Sequence, residues 1–321
     1  MINGHGDDSY SYDGITSDFS SNICAKASHE ALMAHLASRP ELIAHYPEPE
    51  AWSLEAMLAE RHGIAPECVI VTSGATDAIY LIAQAFPFTP VIPAPTFSEY
   101  EDACACFGET ERKSMLWLCN PNNPDGRVYE QAYIDLMARK YDLVVLDQSY
   151  EHYTAMPVMS ARDAVGNPGV VQVHSMTKSY AVPGLRLGYI TAHERVTARL
   201  RRYLRPWSVS ALAVEAGKFL LQHDELACRP DLGEARRLRE RLLAIGIGVL
   251  PTQTNFMLCR LKGHTAAAMK DYLACEHHLL IRDPSNFRGL TPHHFRVAAQ
   301  TPAEDDLLVA AIGEYLHSPA L

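Results

Sequence analysis

Four short, continuously apolar runs set the kind of fold this chain can adopt. Residues 69–71, 115–118, 143–146 and 170–173 are almost free of polar side chains, and loops and segments of helical period separate them. Strands read this way when both faces are covered, as in a parallel sheet held between layers of helices. The rhythm of strand, loop and helix that starts at Val69 predicts an α/β protein. Its large domain, residues 45–205, is expected to be a three-layer α/β/α unit with a mostly parallel sheet, helices at 53–61, 78–86, 131–139 and 192–203, a further strand at 91–92 and one restarting near Leu187. Pro206 opens a second compositional block. Helices at 210–222, 232–245, 266–275 and 302–316 with strands at 256–259, 279–281 and 294–298 predict a smaller α+β domain over 206–321. Residues 1–44, with a helix at 28–37, read as an N-terminal arm and part of that smaller domain.

Open α/β sheets bind ligands beyond the carboxyl ends of their strands, so the loops there hold the candidate chemistry. Thr72-Ser-Gly-Ala-Thr-Asp77 offers backbone N–H groups and two hydroxyls to a phosphate at a helix start, although it is neither a Walker nor a Rossmann fingerprint. Phe97 is either a face for a flat ring or ordinary core. Asn120-Pro-Asn-Asn-Pro-Asp-Gly126 is a stiff segment rich in amides, and Asp147 places a carboxylate at a strand end. The densest stretch is His174-Ser-Met-Thr-Lys-Ser-Tyr-Ala-Val-Pro-Gly-Leu-Arg-Leu-Gly-Tyr189. Lys178 lies in a polar turn between two apolar runs, from where its amine can enter a cleft without being buried alone. Ser175 and Arg186 supply an anion-binding hydroxyl and a cationic fork, and Gly184 and Gly188 permit a tight backbone. Amine, hydroxyl and guanidinium together are what a pyridoxal 5'-phosphate site requires; a solvated Lys–Arg pair on a loop is the alternative.

Charge and cysteine usage exclude other classes. A formal net charge of −10 argues against a nucleic-acid partner while allowing a local positive pocket. Eight scattered cysteines, several in apolar surroundings, suit a reducing compartment, and the expected location is cytoplasmic. Cys104-Ala-Cys106 and the doublets His277-His278 and His293-His294 lack metal-ligand spacing, so no metal is expected. The N-terminus has no apolar signal core, and no run approaches a membrane span. The arginines at 199, 201, 202 and 205 read as a solvated or interface face.

The segment around Lys178 resembles that of fold-type I pyridoxal-phosphate enzymes, and the resemblance to the aminotransferase class I/II superfamily runs over nearly the whole chain. It implies an aspartate aminotransferase-like fold and assigns roles. Lys178 bonds covalently to the cofactor, Asp147 pairs with the ring N1–H, Tyr150 and Asn123 donate to its phenolate oxygen, and Phe97 stacks on the ring. Ala75, Thr76, Ser175 and Arg186 anchor the cofactor phosphate, and Arg296 clamps the substrate carboxylate. Tyr46, in Tyr46-Pro-Glu-Pro49, is similar to the tyrosine that reaches the phosphate of a neighbouring subunit, which implies a homodimer. Within the superfamily His5-Gly6, Asp18-Phe-Ser-Ser-Asn-Ile23, Arg205-Pro-Trp-Ser-Val-Ser-Ala211, Leu280-Ile-Arg282 and Phe295-Arg-Val297 resemble the threonine-phosphate decarboxylases of the cobalamin pathway. That branch implies a substrate phosphate held by His5, Ser21, Asn22 and Arg282. A histidinol-phosphate-type aminotransferase using 2-oxoglutarate is the alternative, and a non-catalytic binding protein on the same fold a further one. The sequence departs from the superfamily at Gln148-Ser149, where Glu-Ala is usual, and at Asp125, where Thr is usual.

Overall fold

The computed structural model describes residues 8–24 and 27–317. In chain order its first half comprises β1 (Ser17–Asp18), α1 (Glu30–Ala37), α2 (Trp52–His62), β2 (Val69–Thr72), α3 (Gly74–Ala85), β3 (Thr89–Val91), α4 (Glu99–Phe107), β4 (Ser114–Cys119), α5 (Gln131–Lys140) and β5 (Leu143–Asp147). There follow α6 (Ala161–Val165), β6 (Val170–Ser175), α7 (Met176–Ser179), β7 (Gly188–Ala192), α8 (Glu194–Arg201), α9 (Ala211–Gln222) and α10 (Leu232–Ala244). The chain closes with β8 (Gly248–Val249), β9 (Phe256–Arg260), α11 (Ala266–His277), β10 (Leu279–Leu280), β11 (His294–Ala298) and α12 (Pro302–His317).

The large sheet has the order β2-β7-β6-β5-β4-β3. All its strands are parallel except β7, which is antiparallel to both β2 and β6. Strand alternation divides the apolar runs between two cores. Met115, Trp117 and Cys119 of β4 face α3, α4 and α8, whereas Leu116 and Leu118 face α5 and α6. Near β2 and β7 the second face is covered by α1, α2 and α9. Helices therefore lie on both sides of the sheet, and the three-layer architecture follows from the doubly apolar strands. The carboxyl ends of β2, β4, β5 and β6 open on one edge, and the loops identified in the sequence gather there.

A second core joins α10, α11 and α12 to the sheet β11-β9-β8. The N-terminal arm belongs to this packing: β1 pairs in parallel with β10, and Phe19 is fully buried in the same cluster. Several elements differ from the sequence reading. Helix α3 begins at Gly74, four residues ahead of the expected start at residue 78, and β1, α4, α6 and β8 lie in stretches to which no element was assigned. The arginine run is only partly solvated. Arg201 bonds Glu50, Glu55 and the Val69 carbonyl, and Arg199 bonds Glu111 and the Ala85 carbonyl. Among the described residues no helix is long and apolar enough to cross a membrane.

Candidate active site

The pocket at the strand ends has a carboxylate floor. Asp147 ends β5 with its side chain buried and three donors on it: Tyr100 OH at 2.7 Å, Ser149 Oγ at 2.6 Å and Ser149 N at 2.9 Å. Burial pushes the Asp147 carboxyl up from its ordinary range, against the Ser149 and Tyr100 hydrogen bonds, which favour the charged form. The sequence reading missed Tyr100, which comes from the unforeseen α4 and stacks on Trp117 at 5.2 Å. A tyrosine inside a helix carries no local signal of such a contact.

Lys178 sits in one wall. Its segment is a single helical turn, α7, rather than an open turn, and the Tyr153 hydroxyl fixes it by donating to the Lys178 carbonyl at 3.0 Å. Lys178 Nζ donates to the Ser21 carbonyl at 2.7 Å and lies 5.8 Å from the centre of the Tyr150 ring. The arm is thus threaded across the site, anchored by Phe19, whose backbone bonds Leu280 and Ala298. Asn22 points elsewhere than into the open pocket. Its side chain is fully buried, with its amide 3.4 Å from the Tyr150 hydroxyl, whose pKa burial raises to about 12.

The opposite end suits an anion. Ala75 and Thr76 lie in the first turn of α3, where backbone N–H groups have no helical partner, and they line the pocket beside Ser175, Thr177 and Arg186. Strand β7 comes so close to this helix start that a Cβ at Gly188 would stand 2.8 Å from the Ala75 nitrogen. Arg186 holds a left-handed backbone at φ 52°, an uncommon conformation for a side chain this long, and its guanidinium lies against Gly74.

Two arginines close the pocket from the smaller unit. Arg282 and Arg296 are bridged backbone to backbone, N to O at 3.1 and 2.9 Å, and both are buried. Arg296 donates to Asn123 Oδ1 and to the Ser20 carbonyl, while its Nε is buried without a partner. Burial lowers the pKa of both guanidinium groups, that of Arg282 to about 10 with the Arg296 charge adding to the effect. Arg282 donates to Asn286 Oδ1 at 2.9 Å and lies over Phe287, which meets Phe97 edge-on at 6.3 Å. Asn286 and Phe287 were also missed, because their loop carries no local signal of the site.

The pocket therefore gathers Ser21, Ala75, Thr76, Phe97, Asn123, Asp147, Tyr150, Ser175, Lys178, Arg186, Arg282 and Arg296. It does not gather Tyr46, which is 86% exposed and packs on Trp207 at 5.5 Å. His5 lies outside the described residues. The lining charges are Lys178, Arg186, Arg282 and Arg296 against the single carboxylate of Asp147, so the cavity favours anions. Thr177 Oγ1, buried and unpartnered on its wall, adds a hydroxyl ready for an acceptor. An anion nest, an amine, an aromatic face and a buried carboxylate fit pyridoxal phosphate: Arg186 and the α3 start would hold its phosphate, Lys178 its aldehyde carbon and Asp147 its ring nitrogen.

Comparison with known proteins agrees with this geometry. Residues 105–312 match the family model for aminotransferase class I and II. The threonine-phosphate decarboxylase of Salmonella typhimurium is 28% identical to this chain, over 93% of it and 91% of the relative. The crystal structure of L-threonine-O-3-phosphate decarboxylase from Porphyromonas gingivalis is similar with a TM-score of 0.88 at 37% identity, covering 94% of this chain and all of that one. At the level of fold alone, histidinol-phosphate aminotransferase from Sinorhizobium meliloti in complex with pyridoxal-5'-phosphate superposes with a TM-score of 0.82 at 20% identity, covering 97% and 94% of the two chains.

Proposed function

The chain belongs to the aminotransferase class I and II family and is a pyridoxal-phosphate-dependent enzyme, and within that family we propose that it decarboxylates O-phospho-L-threonine. The observation that carries this reading is the pair of buried, adjacent arginines, Arg282 and Arg296, which suits a substrate with two anionic ends. The likeness to threonine-phosphate decarboxylases supports it.

The positions support the following roles. When bound, the cofactor supplies a protonated pyridine ring that accepts the electron pair left as a bond to the substrate Cα breaks. Asp147 keeps that ring nitrogen protonated, and Asn123 and Tyr150 donate to the ring oxygen. Phe97 covers one face of the ring. Ala75, Thr76, Ser175 and Arg186 hold the phosphate. Arg296, oriented by the Ser20 carbonyl and Asn123, takes the α-carboxylate, and Arg282 takes the substrate phosphate with Ser21 contributing from the arm; the resemblance adds His5 to that phosphate site, whereas buried Asn22 acts through the Tyr150 hydroxyl. Lys178 Nζ delivers a proton to Cα in place of the departing carbon dioxide. The carboxylate leaves as CO2, and the product is an aminopropanol phosphate.

Tyr46 sits on the outside of its own chain, near exposed Trp207, so we assign it to the phosphate site of a second copy in a homodimer. A cytoplasmic location belongs to the same reading, since none of the eight cysteines is in a disulfide.

A second reading has chemical support. A transaminase that passes the amino group to 2-oxoglutarate also binds a molecule with two anionic ends, and the two arginines fit it too. Incubation with O-phospho-L-threonine separates the two. Decarboxylation releases CO2 without a keto acid, whereas strict dependence on 2-oxoglutarate with glutamate as product would replace the decarboxylase by the aminotransferase.

A further inference from the structure

The carboxylate floor of the pocket has one contact that the superfamily resemblance does not supply. Ser149 stands where alanine is usual, and its side chain is buried on the pocket wall. Its Oγ donates to Asp147 Oδ1 at 2.6 Å, and its backbone N–H donates to the same oxygen at 2.9 Å. Among the described residues Oδ2 takes one donor, the Tyr100 hydroxyl at 2.7 Å. A carboxylate oxygen has two lone pairs. Oδ1 is therefore saturated, while Oδ2 keeps one lone pair for a further donor.

The turn that presents Ser149 is pinned from behind. Asp147 and Ser149 close an Asx turn through the bond from Ser149 N to Oδ1. Between them stands Gln148, where glutamate is usual. Its backbone N–H donates to the Val173 carbonyl at 2.8 Å, its amide to the Met159 carbonyl at 3.1 Å, and its Oε1 accepts from Gln172. The Glu151 N–H bonds the Gln148 carbonyl at 2.9 Å. Both departures from the superfamily thus have a contact: Gln148 holds the turn, and Ser149 reaches the carboxylate.

We infer that Ser149 is a positioning residue that fixes Asp147 through Oδ1, so that Oδ2 receives the cofactor ring nitrogen and the proton between them stays on nitrogen. This rests on the reading of Asp147 as the partner of that nitrogen. Each donor on the carboxylate makes it a weaker base. Burial raises the Asp147 carboxyl, and of the hydrogen bonds that oppose it the Ser149 hydroxyl contributes most, ahead of Tyr100 and the Ser149 N–H. The weak acids that face Asp147 from other elements stay neutral. Burial lifts Tyr100 of α4 well above its ordinary value, burial and then the Asp147 charge lift Cys119 of β4, and burial raises Tyr150 to about 12. Lys178 of α7 and Arg296 line the same pocket, and the charge of His174 on β6 contributes least.

The test is the pH dependence of cofactor binding by the purified enzyme, followed through its visible absorption on reconstitution with pyridoxal phosphate. Affinity should fall as acid protonates Asp147. In Ser149→Ala that fall should move to higher pH, by on the order of one unit, because the lost hydrogen bond favoured the charged form. Ser149→Thr keeps the hydroxyl and should retain the wild-type profile. Ser149→Ala decides alone if Ser149→Thr does not fold, since alanine is the usual residue of the superfamily here. A lower melting temperature with an unmoved pH profile in Ser149→Ala would mean a merely structural hydroxyl and overturn the inference. So would a crystal structure of the holoenzyme with the ring nitrogen bonded to Oδ1. Asp147→Asn distinguishes the premise. If it binds the cofactor with wild-type affinity and pH dependence, the Asp147 reading has failed. If it abolishes the dependence while Ser149→Ala leaves it in place, only the Ser149 inference has failed.

Discussion

Asp147 is a carboxylate in a place that disfavours charge, and its three neutral donors make ionisation possible there without providing a counter-ion. A protonated ring nitrogen would complete it. Asp147→Asn removes the charge but keeps the shape, so kcat should fall by about two orders of magnitude or more while the melting temperature changes little. A structural carboxylate would give the reverse, lost stability with intact specific activity. The same neighbourhood sets an acid limit on the fold. Burial depresses His62 to about 4, so the folded chain binds fewer protons there than the unfolded one, and stability falls as pH drops from about 6.5 to about 4. Glu151, depressed to about 2, contributes stability present above its ordinary value near 4.5 and lost as pH falls towards 2. Urea unfolding against pH should show both windows, and His62→Gln should remove the upper one; an unchanged profile would contradict the neutral, buried assignment. Lys178, Asp147 and Arg186 stood out in the sequence because each is a charged residue beside an apolar run. Tyr100 did not, since a hydroxyl says nothing locally about which carboxylate it meets 47 residues along the chain.

At the scale of elements, the strands were legible because doubly covered strands are apolar at every position. The early start of α3 was not. Gly74 is a poor helix former, yet it takes φ +86° there, and Asp77 Oδ2 accepts from the Ser73 N–H at 3.1 Å to close the first turn. That shift brings Ala75 and Thr76 into the helix N-terminus that faces Arg186. The antiparallel direction of β7 was equally hidden, because direction depends on where the chain returns. The loop from Asp283 to Leu290 is the other element that only the structure reveals. Asn286 accepts from Arg282 and its amide lies 3.3 Å from Ser98 Oγ, Phe287 meets Phe97, and Arg288 bonds Glu101 and the Ile92 carbonyl. The loop ties the smaller unit to the large one beside Phe97 and holds Arg282 in place. Asn286→Ala should raise KM for a phosphorylated substrate by about three- to tenfold, the worth of one hydrogen bond, with a smaller change in kcat and none in cofactor affinity. Equal losses for phosphorylated and unphosphorylated amino acids would disconnect the loop from the phosphate.

On the whole molecule, one chain assembles a pocket in which a cofactor-binding residue expected from the sequence is absent. Tyr46 projects from the surface at 86% exposure beside Trp207 at 50%, with Ile43 nearby in sequence at 77%. A groove lined by Thr76, Asp77, Tyr80, Arg186, Arg205 and Ser208 runs from the outside to the phosphate end of the pocket. A two-fold partner that covers the aromatic patch would bring its own Tyr46 to this groove, and the contact would be reciprocal. The arrangement makes a prediction that single variants cannot. Tyr46→Ala and Lys178→Ala would each empty every site of a homodimer, one of its phosphate contact and the other of its proton carrier. In a hybrid of the two chains, the site that retains Lys178 receives Tyr46 from the Lys178→Ala chain and is intact, whereas the other site carries both defects. Unfolding and refolding an equal mixture should yield hybrids in about half of the dimers, each with one of two sites complete, so about a quarter of wild-type activity should return. Activity no greater than the mean of the two separately refolded variants would place Tyr46 in its own chain's site or outside catalysis altogether.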